Sequence, residues 1–263
     1  MRPTLRSAVG SDVGRRRENN QDSAVTSPRI LAVADGMGGH AHGEVASTVA
    51  ISAMRDLDAQ LRGVDLAGVD LLAALRDAVD EAAARLTALA KQDPDLRGTG
   101  TTVVAFLVDG TRIGVLHLGD SRAYLLREGE LHRLTRDHTL VQSLVDEGRI
   151  SEEEAATHPR RSWLVKTLQD SSTPEPDLFH VDGVPGDRYL ICSDGVTAVL
   201  EDAQLQEVLA GVAEPEAAVA ELIARANAGG GPDNITCIVA DLVEGAEPDD
   251  DNPVVVGAAA TLS

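Results

Sequence analysis

Five aspartates stand where a strand-like segment begins, ends or turns. Asp22 opens DSAVT, Asp35 and Asp194 close apolar runs and precede glycine, Asp120 lies between apolar stretches in LHLGDSRAYLL, and Asp233 comes just before NITCIV. Singly, each reads as a turn residue, because an Asp side chain bonds its local backbone and tolerates left-handed angles. Asp109, in VDGT, is read that way. As a set they imply carboxylates converging at one end of a sheet, where they would repel one another unless cations neutralised them. Hard oxygen ligands of this kind suit Mg²⁺ or Mn²⁺, and no His or Cys cluster in the sequence offers a zinc-like alternative.

Composition narrows the chemistry. The 263 residues are 43% hydrophobic and 25% charged, which is ordinary for a soluble chain with a sizeable core. A formal net charge of -20 disfavours both a nucleic-acid backbone and an anionic membrane surface as partners. An acidic protein that handles phosphate must therefore concentrate positive charge locally, through placed arginines or bound cations. Cys192 and Cys237 sit inside the apolar runs YLICS and NITCIV and read as buried strand thiols, so a reducing cytoplasm is expected. The start MRPTLRSAVGSD lacks an apolar signal core, and no stretch reaches the roughly 20 apolar residues of a membrane span.

The elements that must position these residues follow from periodicity. Strands are expected at Thr4 to Val9, Ser23 to Thr26 and Arg29 to Ala34, and adjacent helices at Gly43 to Leu61 and Asp65 to Lys91, the second with Leu71, Leu75, Val79, Ala82, Leu86 and Leu89 on one face. Thr101 to Val108 and Arg112 to Leu118 flank Asp109-Gly110, a hairpin turn, and Tyr124 to Arg127 and Glu130 to Leu134 extend the meander. Thr139 to Ala156 is polar and helical, with a break at Gly148 and a cap at Ser151 answered by Glu154. Segments 158–162 and 170–176 read as loops, Leu178 to Val181, Arg188 to Cys192 and Ile235 to Val243 as strands, and Asp202 to Leu209 and Pro215 to Ala226 as helices. Strands and paired helices come in blocks, which argues for segregated α and β layers rather than a doubly wound sheet. Residues 244–263, with EGAEPDDDNP, are expected to form an acidic flexible tail.

Along nearly its whole length the chain resembles the metal-dependent PPM (type 2C) serine/threonine protein phosphatases, especially the bacterial ones. The resemblance rests on SDVGRRRENNQDS, VADGMGGHAHGEVAS, GTGTT, LGDSRAYLL, LTRDHTLVQSLVDEGRIS with HPRR, LICSDGVT and GGPDNIT, in that order and spacing. It implies an α+β, four-layer αββα sandwich, two antiparallel β-sheets flanked by helix pairs, over residues 1–243, with a flap at about 136–163. It implies two tightly bound Mn²⁺ or Mg²⁺ ions and a third, weaker one. Asp35 would bridge the pair and Gly36 lend a carbonyl; Asp22 would act largely through water; Asp194 and Asp233 would hold the outer metal. Asp120 would join Asp194 at the third. Arg17 would bind the substrate phosphate, supported by Asn234, although Arg17 also reads as part of a solvated basic cluster with Arg15 and Arg16. A monomer acting on phosphorylated proteins is expected, opposing bacterial Ser/Thr kinases, in keeping with a composition of few lysines and much Ala, Arg, Gly and Asp that suggests a GC-rich genome.

The chain departs from the family pattern at Met37, where eukaryotic members carry a histidine assigned to protonate the leaving alcohol, and at Gln21 and Ala198, where acidic residues are common. His40 and His42 read as packing or helix-start residues rather than as acids. Ser193 adjoins Asp194 but lacks a G-x-S-x-G elbow, so it is not expected to be a nucleophile. Three rival readings are weighed. A dinucleotide fingerprint at Gly36, Gly38 and Ala41, with Asp56 or Asp58 further on, needs a second parallel strand that the helical pattern of Ala50 to Leu61 denies. A phosphatase-fold regulator without activity should have lost ligands that this chain keeps. A hydrolase of small phosphoesters would share the same core.

Overall fold

The β-branched and apolar runs fold into two antiparallel sheets in a computed structural model that describes residues 2–38, 42–170, 173–245 and 252–261. One sheet takes β1 (Thr4–Asp12), β12 (Ile235–Val243), β11 (Arg188–Cys192), β7 (Arg122–Arg127) and β8 (Glu130–Arg133), in that order. The other takes β10 (Asp177–Asp182), β6 (Arg112–Leu118), β5 (Val103–Asp109), β3 (Ile30–Met37), β2 (Asp22–Thr26) and β13 (Val254–Gly257). Two short strands, β4 (Gly100–Thr101) and β9 (Leu168–Gln169), continue the second sheet past the end of β3. The Asp109-Gly110 hairpin forms as expected, with Asp109 opposite Arg112 and Gly110 at φ 63°.

Alternation along the strands sends side chains to three apolar layers. Leu31, Val33, Val104, Phe106, Val115, Ile191 and Ile238 meet between the sheets, where the Phe106 and Tyr189 rings pack edge to face with centroids 5.7 Å apart. Such a contact contributes about 1 kcal/mol beyond its area. The helices α1 (Gly43–Leu61) and α2 (Leu71–Gln92) cover the outer face of the β3 sheet through Ile51, Met54, Leu75 and Val79. On the opposite side α6 (Asp202–Gly211) and α7 (Pro215–Ala228) cover the β12 sheet through Leu205, Val208 and Leu222. The order is helix pair, sheet, sheet, helix pair, the αββα sandwich expected. Short helices α3 (Leu140–Asp146), α4 (Glu152–Ala156) and α5 (Asp194–Thr197) lie between strands, and α4 begins with the Ser151–Glu154 capping box.

Two expectations are corrected. The second long helix does not start at Asp65: Asp65 caps a single 3-10 turn at Leu66–Gly68, and Asp70 accepts from the amides of Leu72 and Ala73 to start α2 anew. The stretch given as a flexible tail ends in structure, because Val254, Val255 and Val256 pair with the free edge of β2 as β13. Three consecutive β-branched residues beside an open strand edge favour such an added strand. Most of the acidic stretch before it lies outside the described residues.

Candidate metal and phosphate site

The antiparallel registers bring every strand end that carries one of the five aspartates to the same end of the sandwich. Asp22 at the start of β2 is the cross-strand partner of Asp35 near the end of β3. Asp120 sits in the turn from β6 to β7, which crosses between the sheets. Asp194 follows β11 as the first residue of α5, and Asp233 precedes β12. Asp35, Asp120, Asp194 and Asp233 line one cleft of about 240 Å³ with Arg17, Gln21, Gly36, Met37, Gly38, Thr102, Ser162 and Leu164. Asp22 and Asn234 stand behind that lining.

Local hydrogen bonds hold the Asp22 carboxylate and the backbone around Asp35 and Asn234. The Asp35 amide donates to Thr102 Oγ1 at 3.0 Å, the Thr102 amide returns a bond to the Asp35 carbonyl at 2.9 Å, and Thr102 Oγ1 shares a hydrogen with Ser121 Oγ at 2.7 Å. Ser193 Oγ donates to Asp22 Oδ2 at 2.7 Å while accepting the Thr236 amide at 3.1 Å. Asn234 accepts the Gln21 amide at 2.8 Å and donates to the carbonyls of Val13 and Asn19, both at 2.9 Å, so it ties the loop bearing Arg17 to the start of β12. Two glycines are sterically obligatory: a Cβ at Gly36 would lie 2.1 Å from the Gly43 carbonyl oxygen, and one at Gly195 would lie 1.9 Å from that of Asn234.

The electrostatics explain what this end of the molecule can hold. Burial, then repulsion from Asp194 and Asp233, outweighs the hydroxyl bonds and raises Asp22 to about 7. Burial and the neighbouring Asp22, Asp194 and Asp120 push Asp35 well above the usual carboxylate range. Burial, then Asp194 and Asp137, lifts Asp120 to about 7, and burial, then Asp233, lifts Asp194 to about 6. Among the described residues no arginine or lysine forms an ion pair with Asp22, Asp35, Asp120 or Asp194; Arg17 pairs with Asp233 at 2.6 Å on the rim. An all-oxygen set of crowded carboxylates, four of them without a direct ion-pair partner among the described residues, fits hard divalent cations, which would restore the ionised forms.

The remaining expected residues fall as follows. His42 precedes α1, 4.0 Å from Glu44, and lies outside the cleft lining, while His40 lies outside the described residues. Met37 lines the cleft and carries no transferable proton. Within 136–163, Asp137 pairs with Arg122 and Arg133, and Ser162 joins the cleft wall. The supporting hydroxyls of Thr102 and Ser121 have no signal of their own in the sequence, and Ser193, weighed there only as a nucleophile, takes its supporting role from the bond to Asp22. A strand-end threonine or serine carries no periodic signal; only the GTGTT and LGDSR strings beside the aspartates hinted at it.

A four-layer sandwich with aspartates gathered at one end defines a class of protein whose layers serve as scaffold and whose strand ends form a carboxylate metal centre. The chain belongs to the protein phosphatase 2C family, which it matches over residues 9–226. It is 48% identical over 240 residues to the serine/threonine protein phosphatase PstP of Mycobacterium tuberculosis, covering 91% of this chain but only 45% of that protein. It thus spans about half the length of that relative. It is 35% identical to the serine/threonine phosphatase stp of Listeria monocytogenes, over 87% of this chain and 92% of the relative. The crystal structure of the PstP catalytic domain in complex with two manganese ions superposes with a TM-score of 0.84 at 46% identity, covering 92% of this chain and 100% of that one.

Proposed function

We propose that this chain is a metal-dependent serine/threonine protein phosphatase, in which Asp35, the Gly36 carbonyl, Asp194 and Asp233 would hold two Mn²⁺ or Mg²⁺ ions. Bound there, the ions lower the pKa of a shared water and neutralise charge developing on the phosphoryl group. The observation that carries the reading is the convergence of Asp22, Asp35, Asp120, Asp194 and Asp233 at one end of the sandwich, with Arg17 at Asp233 the one ion pair among them in the described residues.

The chain's own residues orient and bind. Asp22, clamped by Ser193 Oγ, backs the Asp35 carboxylate from the adjacent strand. That clamp occupies the Ser193 hydroxyl, so it serves as a support and not as a nucleophile. Arg17 stands on the cleft rim, where its planar fork can grip two phosphate oxygens, and Asn234 holds its loop in place. Asp120, with Asp194, would hold a third, weaker cation.

The substrate class follows from the shape beside the cleft. A second hollow of about 530 Å³ shares Asp120, Ser162 and Asp194 and runs beneath α3 and α4. It offers room for residues flanking a phosphoserine or phosphothreonine, which a small phosphoester would leave unused. Residues 136–163 are accordingly the flap over the substrate, in a catalytic domain that takes in β13 as well as residues 1–243. The partners are phosphorylated proteins, bacterial Ser/Thr kinases and their substrates among them, met by a monomer in the cytoplasm.

Hydrolysis of phosphoserine, phosphothreonine and phosphotyrosine peptides with and without Mn²⁺ tests the reading. It predicts Mn²⁺-dependent release from the first two and none from Asp35→Asn. Metal-independent release, or full activity in the variant, would overturn it.

A further inference from the structure

The Asp120 turn is anchored on one side by the Ser121 hydroxyl, which meets Thr102 Oγ1 at 2.7 Å. Gly119 adopts φ 109°, a conformation for glycine, and a Cβ there would also strike the Thr102 side chain at 2.5 Å. Two histidines behind the turn hold its backbone. The Gly119 amide donates to His138 Nδ1 at 3.1 Å, and the His138 amide donates to the Gly119 carbonyl at 2.8 Å. On the other side of Asp120, the Ser121 carbonyl is 3.1 Å from His117 Nε2. The two rings stack with centroids 4.6 Å apart.

The bonds dictate the tautomers. Because His138 Nδ1 accepts, its Nε2 carries the hydrogen and donates to Asp177 Oδ2 at 3.0 Å; Lys166 meets the other oxygen of Asp177 at 3.2 Å. His117 Nε2 likewise must donate to a carbonyl, which leaves its buried Nδ1 without a partner. Burial lowers the pKa of both rings, that of His117 to about 4, which keeps them neutral. His117, His138 and Asp177 lie within 4.8 Å of one another, as a metal trio would. With both Nε2 atoms committed as donors and His138 Nδ1 already accepting, His117 Nδ1 is the one ring nitrogen of the pair with a free lone pair, so in this hydrogen-bonded state the two rings act as supports and not as cation ligands.

His138 also carries the root of the flap. Its carbonyl accepts the Val165 amide at 2.9 Å, Thr139 bridges to Leu164, and the Leu140 amide donates to the Trp163 carbonyl at 2.8 Å. Leu164 and Ser162 line the cleft beside Asp120.

We propose that His138 is a positioning residue: its Nδ1 fixes the Gly119 amide and thereby aims the Asp120 carboxylate, while its backbone joins that turn to the root of the 136–163 segment. The inference rests on the reading of Asp120 as ligand of a third, weaker cation. It assigns the two ring nitrogens different work, since Nδ1 serves the site and Nε2 serves only the Asp177 contact.

That division makes the test. In His138→Asn the amide oxygen takes the place of Nδ1 and keeps the Gly119 bond, whereas in His138→Gln the polar group takes the place of Nε2 and keeps only Asp177. Mn²⁺ binding followed by calorimetry on the metal-loaded protein, kcat and KM on a phosphopeptide, and melting temperature are measured for both, with Asp120→Ala as reference. His138→Gln is expected to weaken the low-affinity Mn²⁺ site about 10-fold, the value of one hydrogen bond of about 1.4 kcal/mol, and to lower kcat with the tight pair and KM unchanged. His138→Asn is expected to restore both. Equal losses in the two variants would make His138 a packing residue and overturn the proposal, as would a wild-type weak site and kcat in His138→Gln while Asp120→Ala is impaired. If Asp120→Ala itself keeps the weak site and kcat, the reading of Asp120 falls and the proposal with it. Should His138→Gln fail to fold, His138→Asn alone decides: it must keep the weak site.

Discussion

Replacing Asp194 by asparagine should destroy activity and yet stabilise the metal-free protein. The Asp194 carboxyl rises from 3.8 to about 6, first through burial and then through Asp233. A carboxyl whose folded pKa lies above its unfolded value costs stability as pH climbs from the unfolded value through the folded one. Two units at 1.36 kcal/mol each make the charge cost about 3 kcal/mol at pH 7.5. Asparagine keeps the shape without the charge, so the apoprotein should gain about that much, roughly 6 to 12 °C in melting temperature at 2 to 4 °C per kcal/mol. The gain should halve near pH 5 and vanish below about pH 4, where the unfolded wild-type carboxyl is also protonated. Thermal melts of wild type and variant in chelator at these pH values measure it, with Mn²⁺ added in a second series. Manganese should raise the wild-type transition much more than the variant's. A variant that melts lower than wild type at pH 7.5, or whose gain is the same at pH 4, would refute the reasoning.

Arg17→Ala should raise KM for a phosphopeptide about 10- to 100-fold, the worth of a charged hydrogen-bond pair, while Mn²⁺ binding by calorimetry stays unchanged; Arg17→Lys should not restore the fork. Gly36→Ala should cost several kcal/mol in a chemical denaturation midpoint, because its Cβ would meet backbone at 2.1 Å, where no side chain can yield. Thr102→Val removes the hydroxyl that takes the Asp35 amide and meets Ser121; it should destabilise by about 1 to 3 kcal/mol and lower kcat, checked by melting and steady-state kinetics. Asp120→Ala should keep the tight metal pair but lose activity, more on a phosphoprotein than on a chromogenic ester.

The parts of the fold legible in the sequence are those where one element makes its own pattern. Gly43–Leu61, Arg112–Leu118, Arg188–Cys192 and Ile235–Val243 form over the spans their periodicity indicates, and the Asp109-Gly110 turn and Ser151–Glu154 cap carry their chemistry within a few residues. The aspartates too could be read as a set, since each marks a strand end. What could not be read depends on partners distant in sequence. β13 forms because β2 leaves an edge open, and the two-residue strands β4 and β9 exist only by pairing with each other and with β3. The His117–His138 contact joins a strand to the 136–163 segment across 21 positions, and although both lie in quoted strings, LHLGDSRAYLL and LTRDHTLVQSLVDEGRIS, nothing in those strings pairs them. Asp70, not Asp65, starts α2 because two successive caps compete and the second satisfies two amides.

The central claim is that the strand-end aspartates hold a pair of divalent cations. Anomalous diffraction at the manganese edge from crystals grown with Mn²⁺ tests it most directly. The account predicts two strong peaks about 3.5 to 4 Å apart, both in contact with the Asp35 carboxylate and one of them also with Asp194 and Asp233. Manganese bound elsewhere, at His117, His138 and Asp177 for instance, with no peak at Asp35, would contradict it.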